Sequence, residues 1–158
     1  MNPSEVLLLS FLVGGVSGLR ALTAPAVVAW AARLNWLNLH DTPLSFMGSS
    51  AAVAIFTLLA AAELVVDQLP STPSRLQARG LTARIVLGGL SGASLAAAGA
   101  QSLALGAVLG LIGGILGAFA GYQVRTRLVK ALNVPDLVIA VGEDAVAIAA
   151  GLFIVSRL

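Results

Sequence analysis

The sequence predicts an all-α integral membrane protein, a bundle of about five transmembrane helices packed tightly on glycine. Three observations carry this. Of 158 residues, 58% are hydrophobic and only 10% charged, against about 25% charge in an ordinary soluble domain. That leaves too little polar surface to cover a globule in water, and a bilayer removes the need for it. The apolar residues fall into five long runs. The 17 glycines concentrate inside those runs rather than between them.

The runs cover residues 6–34, 46–69, 82–98, 102–124 and 136–155. Roughly 20 residues at about 1.5 Å each cross the hydrocarbon core. The third run is therefore marginal. The first is overlong, so it must tilt, extend past the lipid or break, and Pro25 is the natural place for a break. Turn-forming residues separate the runs: Asn35, Asn38, Asp41 and Pro43 after the first, Pro70 and Pro73 after the second, and Asn133-Val134-Pro135 before the fifth. Pro135 suits the first turn of a new helix. No soluble domain is visible, and residues 1–158 read as one transmembrane unit. Met1 to Glu5 has no basic segment of the kind that opens a signal peptide, so the first run reads as a retained helix.

Charge sets the expected orientation. The net charge is +2, and the chain has no cysteine. Cysteine nucleophiles, disulfides and thiolate metal sites are thereby excluded. Basic residues cluster at run ends and show no face interleaved with aromatics, which argues against nucleic acid. Arg75, Arg79 and Arg84 flank one connection, and Arg125, Arg127 and Lys130 another. With five spans these connections share a side, which the positive-inside rule makes cytoplasmic. The N-terminus is then expected in the cytoplasm and the C-terminus across the membrane. Trp30 and Trp36 fall near the far interface and Tyr122 near the cytoplasmic one.

Glycines at spacings of three and four put Gly106, Gly110, Gly113, Gly114, Gly117 and Gly121 largely on one helical face. Gly14 and Gly18, and Gly88, Gly92 and Ala96, repeat the pattern. Such faces pack closely within a chain or between copies; a homodimer through them is expected. Membrane lipid is the other expected partner. The first and fourth runs are both glycine-rich and basic at their ends. Helices one and two set against four and five would then form an inverted repeat.

Ionisable residues inside the bilayer are costly and need a reason. Arg20 lies about 14 residues into the first run, roughly 21 Å from its start by helical rise, which places it in the outer half of the membrane. Glu63 and Asp67 are four apart and share a helical face. Glu143 and Asp144 lie near the start of the fifth run and point about 100° apart, so one of the two is expected to face the core. Glu63 and Asp144 lie roughly 9 and 12 Å inside their helix ends, at similar depths in the cytoplasmic half. Arg20, Glu63, Asp67, Glu143 and Asp144 are the candidate ion or substrate site. The alternative is that the acids pair with Arg75, Arg79, Arg84 or Arg125 and simply fix the helices. Arg75, Arg79 and Arg84, beside Ser71, Thr72 and Ser74, are a candidate site for an anionic headgroup or phosphate.

No motif for a nucleotide loop, a zinc protease or a serine hydrolase occurs. No cofactor, catalytic residue or metal site is assigned.

The segments Gly14-Gly15-Val16-Ser17-Gly18-Leu19-Arg20 and Ala62-Glu63-Leu64-Val65-Val66-Asp67-Gln68-Leu69-Pro70-Ser71-Thr72-Pro73-Ser74-Arg75 resemble those of the small bacterial inner-membrane proteins known as domain of unknown function 4126. The similarity extends through the glycine-rich fourth run and Gly142-Glu143-Asp144. It implies a multi-pass protein of the bacterial inner membrane and brings no activity. Transport of an ion or small solute through the buried carboxylates is the leading functional expectation. A membrane-embedded enzyme acting on a lipid or isoprenoid phosphate, and a non-catalytic scaffold subunit, are the alternatives.

Overall fold

The computed structural model describes residues 1–67 and 77–158. They form six α-helices: α1 (Pro3–Leu19), α2 (Thr23–Arg33), α3 (Ser50–Val66), α4 (Ala78–Ala98), α5 (Leu103–Leu132) and α6 (Asp136–Val155). A 3₁₀ turn, Ser45–Gly48, precedes α3. The expected all-helical membrane class holds. Helices α4, α5 and α6 are long and apolar enough to cross a membrane, and α1 and α3 are shorter apolar helices.

The overlong first run breaks, but not at Pro25. Its helix ends at Leu19, Arg20 takes an extended backbone (φ −135°, ψ 112°), and a new helix begins at Thr23. Pro25 sits in the first turn of α2, where its missing N–H costs no helical bond.

The break reverses the chain. Ala21 and Leu22 bind Glu63 near the end of α3, Trp30 binds Thr57, and Gly48 lies against Ala32, so α2 and α3 are antiparallel. At the other end of the fold, Gly99 lies against Val6. The N-terminus therefore sits beside the α4–α5 turn, at the opposite end from the last turn of α3 and the first turn of α4.

The path of the chain differs from that of five continuous helices. One straight first helix would put the N-terminus on the same side as the 67–77 connection. The extra reversal puts it at the opposite end, and successive helices α1 to α6 alternate in direction. The expected inverted pairing changes too. Gly14 meets Gly110, and Gly18 meets Gly114 and Ala118, so α1 and α5 run parallel. The antiparallel pair is α1 with α4: Gly88 approaches Gly14, and Gly92 approaches Ser10. Both helices carry the same Gly-Gly-x-Ser-Gly pattern, residues 14–18 and 88–92. The two three-helix segments, α1–α3 and α4–α6, thus have opposite sense.

Glycine explains the tight triad of α1, α4 and α5. A Cβ on Gly18 would lie 2.5 Å from the Ala118 nitrogen and the Gly114 carbonyl oxygen. One on Gly88 would lie 2.8 Å from the Gly110 oxygen. In lipid, such backbone approach supplies the packing that hydrophobic exclusion supplies in water. The faces expected to bind a second copy are thus filled within the chain, and a homodimer would have to use another surface. Within the triad the buried hydroxyls of Ser10, Ser91 and Ser94 donate to carbonyls one turn back, which satisfies them without a partner helix. A second core surrounds α2, where Val28, Ala29 and Ala31 join Leu37, Met47, Leu95 and Val155.

Candidate functional site: a buried ion-pair network at a helix break

A break inside a membrane helix exposes two sets of unpaired backbone groups, carbonyls at the end of one half and amides at the start of the next. Here both ends are met by charged side chains from other helices. On the amide side, Glu63 accepts from Ala21 N–H and Leu22 N–H, each at 2.8 Å. A carboxylate at a helix N-terminus is favoured by the helix dipole. On the carbonyl side, the Arg84 Nε donates to the Gly18 oxygen at 3.1 Å. A cation there is favoured for the mirror reason. The Ser17 hydroxyl lies 3.0 Å from the Ala21 carbonyl and 3.1 Å from that of Arg84, able to donate to one at a time.

Arg20 occupies the turn and is fully buried. Its Nη1 pairs with Asp67 Oδ2 and its Nη2 with Asp144 Oδ1. Arg84, 5% exposed, places its Nη2 3.7 Å from both Glu63 and Asp67. Asp67 thus bridges the two arginines. A neighbouring pair group lies along α5 and α6: the Arg125 Nε donates to Asp136 Oδ1 at 2.8 Å, and its Nη1 is 3.6 Å from Glu143.

The structure therefore brings together Arg20, Glu63, Asp67 and Asp144, with Glu143 one step away. Two expectations are corrected. Arg20 is not stranded in the opposite half of the membrane from the acids, because the reversal at the break lifts it to their level. Glu143 and Asp144 are not one inward and one outward: their divergence of about 100° per residue aims them at two different arginines, Arg125 and Arg20.

The headgroup triplet also separates. Arg84 turns into the core and is held by Gly18, Glu63 and Asp67, so it is not at a lipid surface. Arg79 is exposed, and Arg75 lies outside the described residues. Arg84 falls inside the apolar run that begins at residue 82, and that position was the signal that it belongs with the buried charges. Arg125 was hidden differently, since the run ends at residue 124 while α5 continues to Leu132.

The family can now be placed. A family model described as domain of unknown function matches residues 7–156. The chain belongs to the DUF4126 family. The match includes every residue of the network in this DUF4126 chain. No curated protein and no solved structure matches the chain. Among the described residues, no three histidine, aspartate or glutamate side chains are arranged to hold a metal ion. What the DUF4126 arrangement offers chemically is a set of carboxylates whose partners are guanidiniums and helix ends.

Glu63→Gln tests the cap. An amide offers one acceptor oxygen, and its NH2 faces an N–H that needs an acceptor. Leaving that buried donor unmet costs about 1–3 kcal/mol. The expected result is a matching loss of thermal stability in detergent, with helix content by circular dichroism retained. Unchanged stability would mean that Glu63 does not cap α2.

Proposed function

We propose that this DUF4126 chain moves an ion or small solute across the bacterial inner membrane through the Arg20–Asp67–Asp144 cluster. The observation that carries this reading is the helix break at Arg20–Leu22, buried inside the bundle with charged groups on both of its ends. Broken membrane helices whose ends face charged groups are the usual means by which secondary transporters bind ions and solutes. Ionisable side chains held within a bundle are the usual means of passing protons. The opposed sense of α1–α3 and α4–α6 adds support, since transporters are often built from such inverted segments.

Orientation follows in the same reading. Arg79, Arg125, Arg127 and Lys130 lie at the end of the bundle that carries the network. The positive-inside rule makes that end cytoplasmic. Both termini then face away from the cytoplasm, and the network lies in the cytoplasmic half of the bundle.

Proteoliposomes loaded with a pH-sensitive dye, or with labelled monovalent cations, test the proposal. Wild type should dissipate an imposed gradient. Asp144→Asn and Asp67→Asn should each lose about tenfold or more in rate while eluting as a single species. Full flux in both variants would remove these residues from the path. No flux in wild type, together with strong destabilisation in the variants, would make the network a structural lock.

A further inference from the structure

The outward face of α4 differs from its inward one. Arg79, Thr82, Ala83 and Val86, spaced by three and four, share one side, while Arg84 points to the core. Together with Ala78 and Leu87 these residues line an open groove of about 640 Å³. Its composition is graded along the helix. The cation and hydroxyl stand at the network end, and Ala83, Val86 and Leu87 continue toward the middle of the helix. Val86 is 57% exposed.

Among the described residues, no carboxylate pairs with Arg79, Arg127 or Lys130. Asp67, Asp144 and Glu143 at this end face Arg20, Arg84 and Arg125 instead. The outer rim is therefore positively charged and uncompensated. At about 1.5 Å per residue, the 30 residues of α5 reach about 45 Å, beyond a hydrocarbon core of about 30 Å. Arg127 and Lys130, near its end, thus belong at headgroup level.

We propose that this groove is a binding site for an anionic phospholipid. The phosphate sits on the Arg79 guanidinium and the Thr82 hydroxyl, and one acyl chain lies along Ala83, Val86 and Leu87. A zwitterionic lipid offers the same chain without the net negative charge that the Arg79 guanidinium favours, so the site discriminates by headgroup. It is separate from the transport cluster and does not depend on it.

Native mass spectrometry of the full chain, released from nanodiscs of phosphatidylglycerol and phosphatidylcholine in equal amounts, tests the site. Wild type should retain phosphatidylglycerol preferentially. Arg79→Gln should lower that retention about fivefold, the effect of removing one cation near an anionic surface. Val86→Trp should fill the groove and reduce retention of both lipids, with the chain still monodisperse. Equal retention of the two lipids by wild type, or undiminished phosphatidylglycerol on Arg79→Gln, would overturn the proposal. Inorganic phosphate, added at millimolar concentration, should not compete; full displacement by it would identify a free-phosphate site instead.

Discussion

Replacing Arg20 with methionine should destabilise the folded chain by about 3–5 kcal/mol, the cost of leaving buried carboxylates without their cation. The side chain is completely buried and sits between Asp67 and Asp144. Its removal takes one cation from Asp144 and leaves Glu63 and Asp67 with Arg84 among the described residues. Arg84 cannot move to compensate, because its Nε is held by the Gly18 carbonyl. The variant should unfold at lower temperature in detergent and yield less protein from membranes. The triple variant Arg20→Met, Asp67→Asn, Asp144→Asn should recover most of the loss, since buried ion pairs replaced as a set are often close to neutral. A triple variant as unstable as the single would mean that Arg20 acts through packing rather than charge.

Gly110→Leu should be strongly damaging. A Cβ at Gly110 would lie 2.9 Å from the Gly88 carbonyl carbon and 3.1 Å from the Gly92 Cα, with backbone rather than a movable side chain in the way. Gly14 meets Gly110 from the other side. The substitution must therefore push α4 off α5, and α1, packed on both, loses its seat with them. Overpacking of a side chain costs about 1–3 kcal/mol, and here two backbones in direct contact must separate, so the cost should exceed that range. Loss of a monodisperse peak in size exclusion is the expected readout. Gly142→Leu is the control, because nothing lies within 4 Å of a Cβ built there, and it should behave as wild type.

The contrast between these two glycines shows how far sequence reading reaches. Spacing marked the α5 glycines as a packing face, and they are one. Spacing could not show that the partners are α1 and α4 of the same chain. The fifth run, residues 136–155, matches α6 at both ends, since apolar composition and Pro135 both mark its start. The fourth run stops short at 124 because Arg125, Arg127 and Lys130 look like a loop, yet a helix leaving the bilayer carries such residues without ending.

The break is the instructive miss. Leu19-Arg20-Ala21-Leu22 contains no glycine, proline or polar turn pair, so local signals put the break at Pro25. The reversal is held by Glu63 and Arg84, residues 41 to 66 positions away. Partners that distant leave no mark on local periodicity. Without that reversal the N-terminus falls at the network's end of the bundle and Arg20 falls away from its acids. The residue types of the site were legible because charge in an apolar run is conspicuous. Their pairing was not, because it depends on the parity of the turns.

The reversal of α1 at Arg20 is the claim on which the network rests, and cross-linking tests it directly. The chain has no cysteine, so Val6→Cys with Gly99→Cys introduces one defined pair. The Val6 Cβ lies 3.2 Å from a Cβ built at Gly99, near the 3.5–4.5 Å that a disulfide spans. Rapid, near-complete cross-linking in native membranes under mild oxidation is the predicted result. Cross-linking of Val6→Cys to a cysteine at Arg79, with none to position 99, would put the N-terminus at the opposite end and contradict the account.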